Sequence, residues 1–121
     1  MSGSLLAGNF VYLLQLKQVN SFYMKTRSEY IVLLQSCSDV LREHFGVRSL
    51  RLFGSVAREE QKATSDVDIC VEMEPRLYLL VELGMFLENL LGCHVDVVRM
   101  HRNMNPFLKK EIESDGIYVI S

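Results

Sequence analysis

Two short stretches of this chain carry residue types that do chemistry together. Leu52-Phe53-Gly54-Ser55-Val56-Ala57-Arg58 reads as a strand running into a Gly-Ser turn. Ser65-Asp66-Val67-Asp68-Ile69-Cys70-Val71 reads as a second strand whose start bears two carboxylates. Asp66 and Asp68, at i and i+2, point to the same side of an extended backbone, with Cβ atoms roughly 6.5–7 Å apart. Two ionised carboxylates that close repel, and one is pushed toward protonation unless a cation lies between them. Hard oxygen donors of this kind suit Mg²⁺, which takes one or two carboxylates and completes its shell with water and phosphate oxygens. Taken alone, the pair reads equally as a solvated strand edge.

Asp96 alters that balance. It sits between Val95 and Val97 in a separate alternating run, so its side chain leaves the apolar face as those of Asp66 and Asp68 do. If the two strands are neighbours, three carboxylates converge, and a pair of metal ions is the usual remedy for such a cluster. Gly54-Ser55 supplies the complementary half: glycine permits a tight turn and close backbone approach. The first N–H groups of a following helix bind anions. The Ser55 hydroxyl adds a donor, and Arg58, one turn along, is placed to meet phosphate, although a lone helix arginine is equally a surface residue. Ser65 is a further candidate at the bound phosphate, with strand-entrance shaping as its plainer role.

The elements that must position these residues follow from periodicity. Ile31, Leu34, Cys37, Val40, Leu41 and Phe45 recur at three- and four-residue spacing, predicting one amphipathic helix capped by Ser28 and ended by Gly46. Ser49 to Phe53 alternates as a strand, Ser55 to Glu60 can start a helix, and Glu59 to Ser65 is a polar loop. Asp66 to Met73 and His94 to Val98 alternate as two more strands. Between them Leu77 to Leu91 is apolar nearly all round, predicting a helix that is deeply buried or partly covered by a partner, with Gly92 as its end. Asn105-Pro106 opens a helix closed by Asp115-Gly116, and Ile117 to Ile120 is a last strand. The order predicts a small α/β (α+β) domain with helices packed on a mixed sheet.

At 121 residues the chain is one domain's worth. Nearly half of it is apolar and its net charge is −2, which lacks the basic excess of a protein built to lie on nucleic acid and argues against direct nucleic-acid binding. Cys37, Cys70 and Cys93 are odd in number, widely spaced and outside any Cys-x-x-Cys pair. That predicts reduced thiols in a cytoplasmic protein rather than a disulfide framework or a zinc site. Leu5 to Leu16 is fairly apolar but interrupted, too short for a bilayer span and without a charged leader, so no membrane association is expected. Met24 precedes a polar helix entrance. The domain is therefore expected over 24–121, with 1–23 as an extension that is either disordered or an extra helix.

Taken together, Gly54-Ser55-Val56-Ala57-Arg58, Ser65-Asp66-Val67-Asp68 and the separate Val95-Asp96-Val97-Val98 resemble the nucleotidyltransferase superfamily that includes DNA polymerase beta. More narrowly they resemble its minimal nucleotidyltransferase (MNT) group. The resemblance runs from about Met24 to the end, including the Pro106 to Ile112 helix and Asp115-Gly116-Ile117-Tyr118. Two positions depart from the group's pattern: Glu59 stands where a glycine often follows the arginine, and Lys62 where many relatives carry acids. The resemblance implies a nucleotidyltransferase-like fold and a catalytic, metal-binding set of Asp66, Asp68 and Asp96. It also implies two Mg²⁺ ions and ATP as substrate, with Gly54 and Ser55 at the triphosphate.

Because the chain has no room for a second substrate-binding domain, the resemblance points to a partner protein as acceptor. Minimal members resemble antitoxins of HEPN-domain toxins, and the implied reaction moves AMP onto a toxin tyrosine. Two other readings stand beside it. One is a non-catalytic module that neutralises its partner by complex formation; the other is a small-molecule nucleotidyltransferase that needs a second subunit. The apolar Leu77 to Leu91 helix is compatible with a partner surface, a homo-oligomer or a buried core helix.

Overall fold

The computed structural model describes residues 24–121; the reading of 1–23 as an extension lies outside them. The first described helix opens on Thr26, whose hydroxyl accepts from the Glu29 N–H (3.2 Å) while the Glu29 carboxylate accepts from the Thr26 N–H (3.0 Å). This capping box starts α1 (Arg27–Ser36) two residues before the expected Ser28 cap. The single helix predicted to Gly46 is in fact two, α1 and α2 (Ser38–Glu43), divided at Cys37. The cause is local. The Ser36 hydroxyl donates to the Leu33 carbonyl at 2.6 Å, and the Cys37 N–H, which would bond that carbonyl in a continuing helix, turns to Leu34 instead.

Strand β1 (Ser49–Phe53) runs into the single-turn helix α3 (Gly54–Ala57), and β2 (Val67–Glu72) pairs antiparallel beside β1. Helix α4 (Leu77–Leu91) carries the chain across to β3 (Val95–Arg99), which lies parallel to β2, and Gly92 in the left-handed region ends the helix. Asn105 caps α5 (Pro106–Asp115), its side chain accepting from the Phe107 and Leu108 N–H groups. β4 (Ile117–Ile120) then joins the far side of β1, antiparallel to it. The sheet order is β3-β2-β1-β4. The expected mixed sheet with helices packed on it is thereby found, with strand bounds within a residue or so.

Both faces of the sheet are covered. Leu50, Leu52, Val67, Ile69 and Val71 meet Leu33, Leu34 and Leu41 together with Leu83, Leu87 and Leu91 of α4 in the main core. On the other face Phe53 and Cys70 pack with Met104 and Ile112 under α5. The nearly uniform hydrophobicity of α4 divides by position. Leu83, Leu87 and Leu91 are fully buried, while Leu77, Tyr78, Val81 and Met85 stand exposed. No helix among the described residues is long and apolar enough to cross a membrane. The cysteines Cys37, Cys70 and Cys93 are all free thiols.

Candidate active site

The second face of the sheet, where Phe53 and Cys70 point, is also the face of the acids. Asp68 stands opposite Phe53 on β1 and in register with Asp96 on β3, so the two carboxylates occupy neighbouring positions on parallel strands. Gly54 follows Phe53 directly and takes φ +73°, a conformation that L side chains rarely adopt. A Cβ at this position would collide with the Asp68 carboxylate. Glycine is therefore required twice, for the turn and for the space in front of the acid.

Asp68 is half-buried, and its carboxyl is pushed up from 3.8 to about 6. Burial is the largest cause; the charges of Asp96, Glu111 and Asp66 add to it, and Arg58 opposes it. Glu111 was not among the sequence candidates. It projects from α5 beside the buried Ile112, and its only signal in the sequence was a carboxylate at the margin of that helix's apolar stripe.

Asp66 lies just before β2 and is exposed. Its Oδ1 is 3.4 Å from Nδ1 of His94, a residue that the sequence reading placed in a strand without a role. Among the described residues no three His, Cys, Asp or Glu side chains come close enough to share a metal ion. The expected convergence of three acids is thus a neighbouring pair, Asp68 and Asp96, with Asp66 drawn toward His94. The pair still fits a hard divalent cation. It offers two oxygen donors on one face, no side chain at Gly54 to fill the space, and a mutual repulsion that a cation would relieve.

The remaining candidates fall around this pair. Ser55 is half-buried in the turn after β1, and its carbonyl accepts from the Glu60 N–H at 2.8 Å. Arg58 is exposed but engaged: Nη1 donates to Asp115 Oδ2 at 2.7 Å and Nε to Glu60 Oε2 at 3.1 Å. It ties α3 to the end of α5 while keeping a positive charge within reach of Asp68. Ser65 closes its loop upon itself, its hydroxyl accepting from the Lys62 N–H and its own N–H donating to the Lys62 carbonyl, both at 2.9 Å. That is the shaping role at the strand entrance.

Comparison with known proteins follows the same lines. The nucleotidyltransferase domain family matches residues 34–119. A Methanocaldococcus jannaschii protein named "Putative protein adenylyltransferase" is 46% identical over 98 residues, which cover 79% of this chain and 100% of that protein. The protein adenylyltransferase MntA of Thermococcus cleftensis is 41% identical over 98 residues, covering 79% of this chain and 98% of the relative. Among solved structures, a toxin–antitoxin with AMP-PNP superposes with TM-score 0.59 at 24% identity, over 70% of this chain and 71% of the other. The tri-AMPylated HEPN toxin of Shewanella oneidensis in complex with MNT antitoxin gives TM-score 0.51 at 23% identity, over 85% and 71%. These two likenesses show the fold. Matched over most of its length, and 41% and 46% identical to relatives that it spans almost end to end, the chain belongs to the nucleotidyltransferase domain family.

Proposed function

We propose that this domain, residues 24–121, transfers AMP from ATP to a tyrosine hydroxyl of a HEPN-type toxin and acts as its antitoxin. The observation that carries this reading is the Asp68–Asp96 pair, side by side in front of a glycine whose missing side chain leaves the space open. Its relatives' name, protein adenylyltransferase, supports adenylyl transfer, and the AMPylated HEPN toxin in a structure of the same fold supports the acceptor class.

On this reading the triphosphate lies against the Gly54-Ser55 turn, with its α-phosphorus over Asp68 and Asp96. Asp68 and Asp96 would hold Mg²⁺, which would lower the pKa of the acceptor hydroxyl and neutralise charge on the phosphates. The tyrosine oxygen forms a bond to the α-phosphorus, and the bond from that phosphorus to the bridging oxygen of the β-phosphate breaks. The electron pair leaves with pyrophosphate. Asp96, exposed at the acceptor side, takes the phenolic proton. Asp66, two residues before Asp68, is the third acid assigned to the site on this reading.

Purified protein with Mg²⁺, ATP labelled at the α-phosphate and a HEPN-domain protein tests this. Label should pass to the HEPN protein with the wild type and fall at least 100-fold with Asp68→Asn or Asp96→Asn, the scale of losing a central catalytic electrostatic group. Neutralisation of the toxin that survives both substitutions, without label transfer, would instead establish a non-catalytic binder.

A further inference from the structure

The strand order bears on where the acceptor comes from. Gly54 and Ser55 follow β1, Asp68 lies on β2 and Asp96 on β3, and β3 is the edge of the sheet among the described residues. In an in-line displacement the attacking and leaving oxygens stand on opposite sides of the phosphorus. With pyrophosphate leaving over β1, the attacking hydroxyl must approach from beyond β3. An open groove of about 500 Å³ lies there.

Its floor includes Val98, Met104 and Leu108, continuous with the small core beneath α5. Val98 follows Asp96 by two residues on the same strand face, about 7 Å along the strand, so the lining starts at the next position on the face that carries the acid. Phe107, next in sequence to the lining residue Leu108 at the start of α5, is 85% exposed, unlike any other phenylalanine among the described residues. The chain segment that supplies most of the lining is positive. From Arg99 to Lys110 the chain carries Arg99, Arg102, Lys109 and Lys110 and no acid, in a protein of net charge −2. Arg99 and His101 line the groove itself.

We infer that this groove is the acceptor subsite, holding a protein partner that presents an aromatic hydroxyl from an acidic surface. The inference rests on the proposed placement of the triphosphate at Gly54-Ser55. An apolar floor accepts an aromatic ring, and the positive charge of the Arg99 to Lys110 segment complements carboxylates around it. Phe107 has the form of an interface anchor, a large rigid apolar side chain already in place before association. Reach agrees as well. A ring seated over Val98 puts its hydroxyl near Asp96, on the attacking side of the phosphorus.

Two measurements on the full chain with a HEPN-domain protein as probe decide it. Phe107→Ala and the double variant Arg102→Glu/Lys109→Glu, all at exposed positions, should raise the KM for the HEPN protein about tenfold and leave affinity for AMP-PNP unchanged. A photo-cross-linking residue at 107 should capture the HEPN protein, whereas the same residue at 118, on the opposite edge strand, should not. Unchanged acceptor KM, or a parallel loss of AMP-PNP affinity, would overturn the inference, the latter by making the groove a nucleotide pocket. If the wild type transfers no label the proposed reaction falls, and the cross-linking comparison still decides the groove: capture at both positions or at neither refutes it.

Discussion

Replacing Asp68 with asparagine should stabilise the protein while abolishing its proposed chemistry. The folded state pushes this carboxyl from 3.8 to about 6, by burial and by the charges of Asp96, Glu111 and Asp66. The fold therefore favours the protonated form. Between about pH 4 and 6 the native state binds more protons than the unfolded chain, so stability falls as pH rises through that window and is level above it. The full rise is equivalent to about 3 kcal/mol. Because Asp68 is only half-buried, solvent screening reduces this to roughly 1–2 kcal/mol. Asn keeps the shape and removes the charge, so Asp68→Asn should exceed the wild type by that amount at pH 7.5 and by much less at pH 4.5. Urea denaturation at both pH values, in chelator to exclude divalent cations, measures the difference. Adding Mg²⁺ at 100 times its dissociation constant should raise wild-type stability by about 2.7 kcal/mol, with little effect on the variant. A variant no more stable than the wild type at pH 7.5, or a gap equally wide at pH 4.5, would refute the reasoning. A functional site that costs stability is the expected trade between catalysis and folding.

Three further substitutions probe the supports of the site. Gly54→Ala places a methyl group against the Asp68 carboxylate and forces a side chain into φ +73°; the backbone strain alone costs about 1–2 kcal/mol, and AMP transfer should be lost even at temperatures where the variant stays folded. Thr26→Ala removes one half of the capping box and should lower stability by about 1 kcal/mol in urea denaturation, leaving transfer at permissive temperature unchanged. Arg58→Gln withdraws the positive charge that opposes protonation of Asp68, so the Asp68 carboxyl should titrate above its wild-type value of about 6 when followed by NMR. An unshifted titration would show that Arg58 acts only as the tie between α3 and Asp115.

Much of this site was legible in the residues alone because its parts are local. The Gly-Ser turn, the spacing of Asp66 and Asp68, the Asn105-Pro106 helix start and the Gly92 helix end each depend on neighbours within a few positions. Alternation alone placed Asp96 on the acids' side of its strand, because side-chain direction in a strand has period two. The helix expected from Ser28 to Gly46 failed on a competition that periodicity does not encode, the Ser36 hydroxyl taking the Leu33 carbonyl that Cys37 needed.

What only the tertiary structure decided are the pairings across the chain. The parallel register that sets Asp68 beside Asp96 spans the whole α4 crossover. The engagement of Arg58 by Asp115, the approach of His94 to Asp66 and the charge of Glu111 at Asp68 likewise join residues distant in sequence. The groove beyond β3 exists because that strand is the sheet's edge among the described residues and α5 folds back over one face. Turn and strand propensities act over a few residues, whereas register and the edge of a sheet are set by how whole elements bury their apolar faces, and so appear only once the chain is packed.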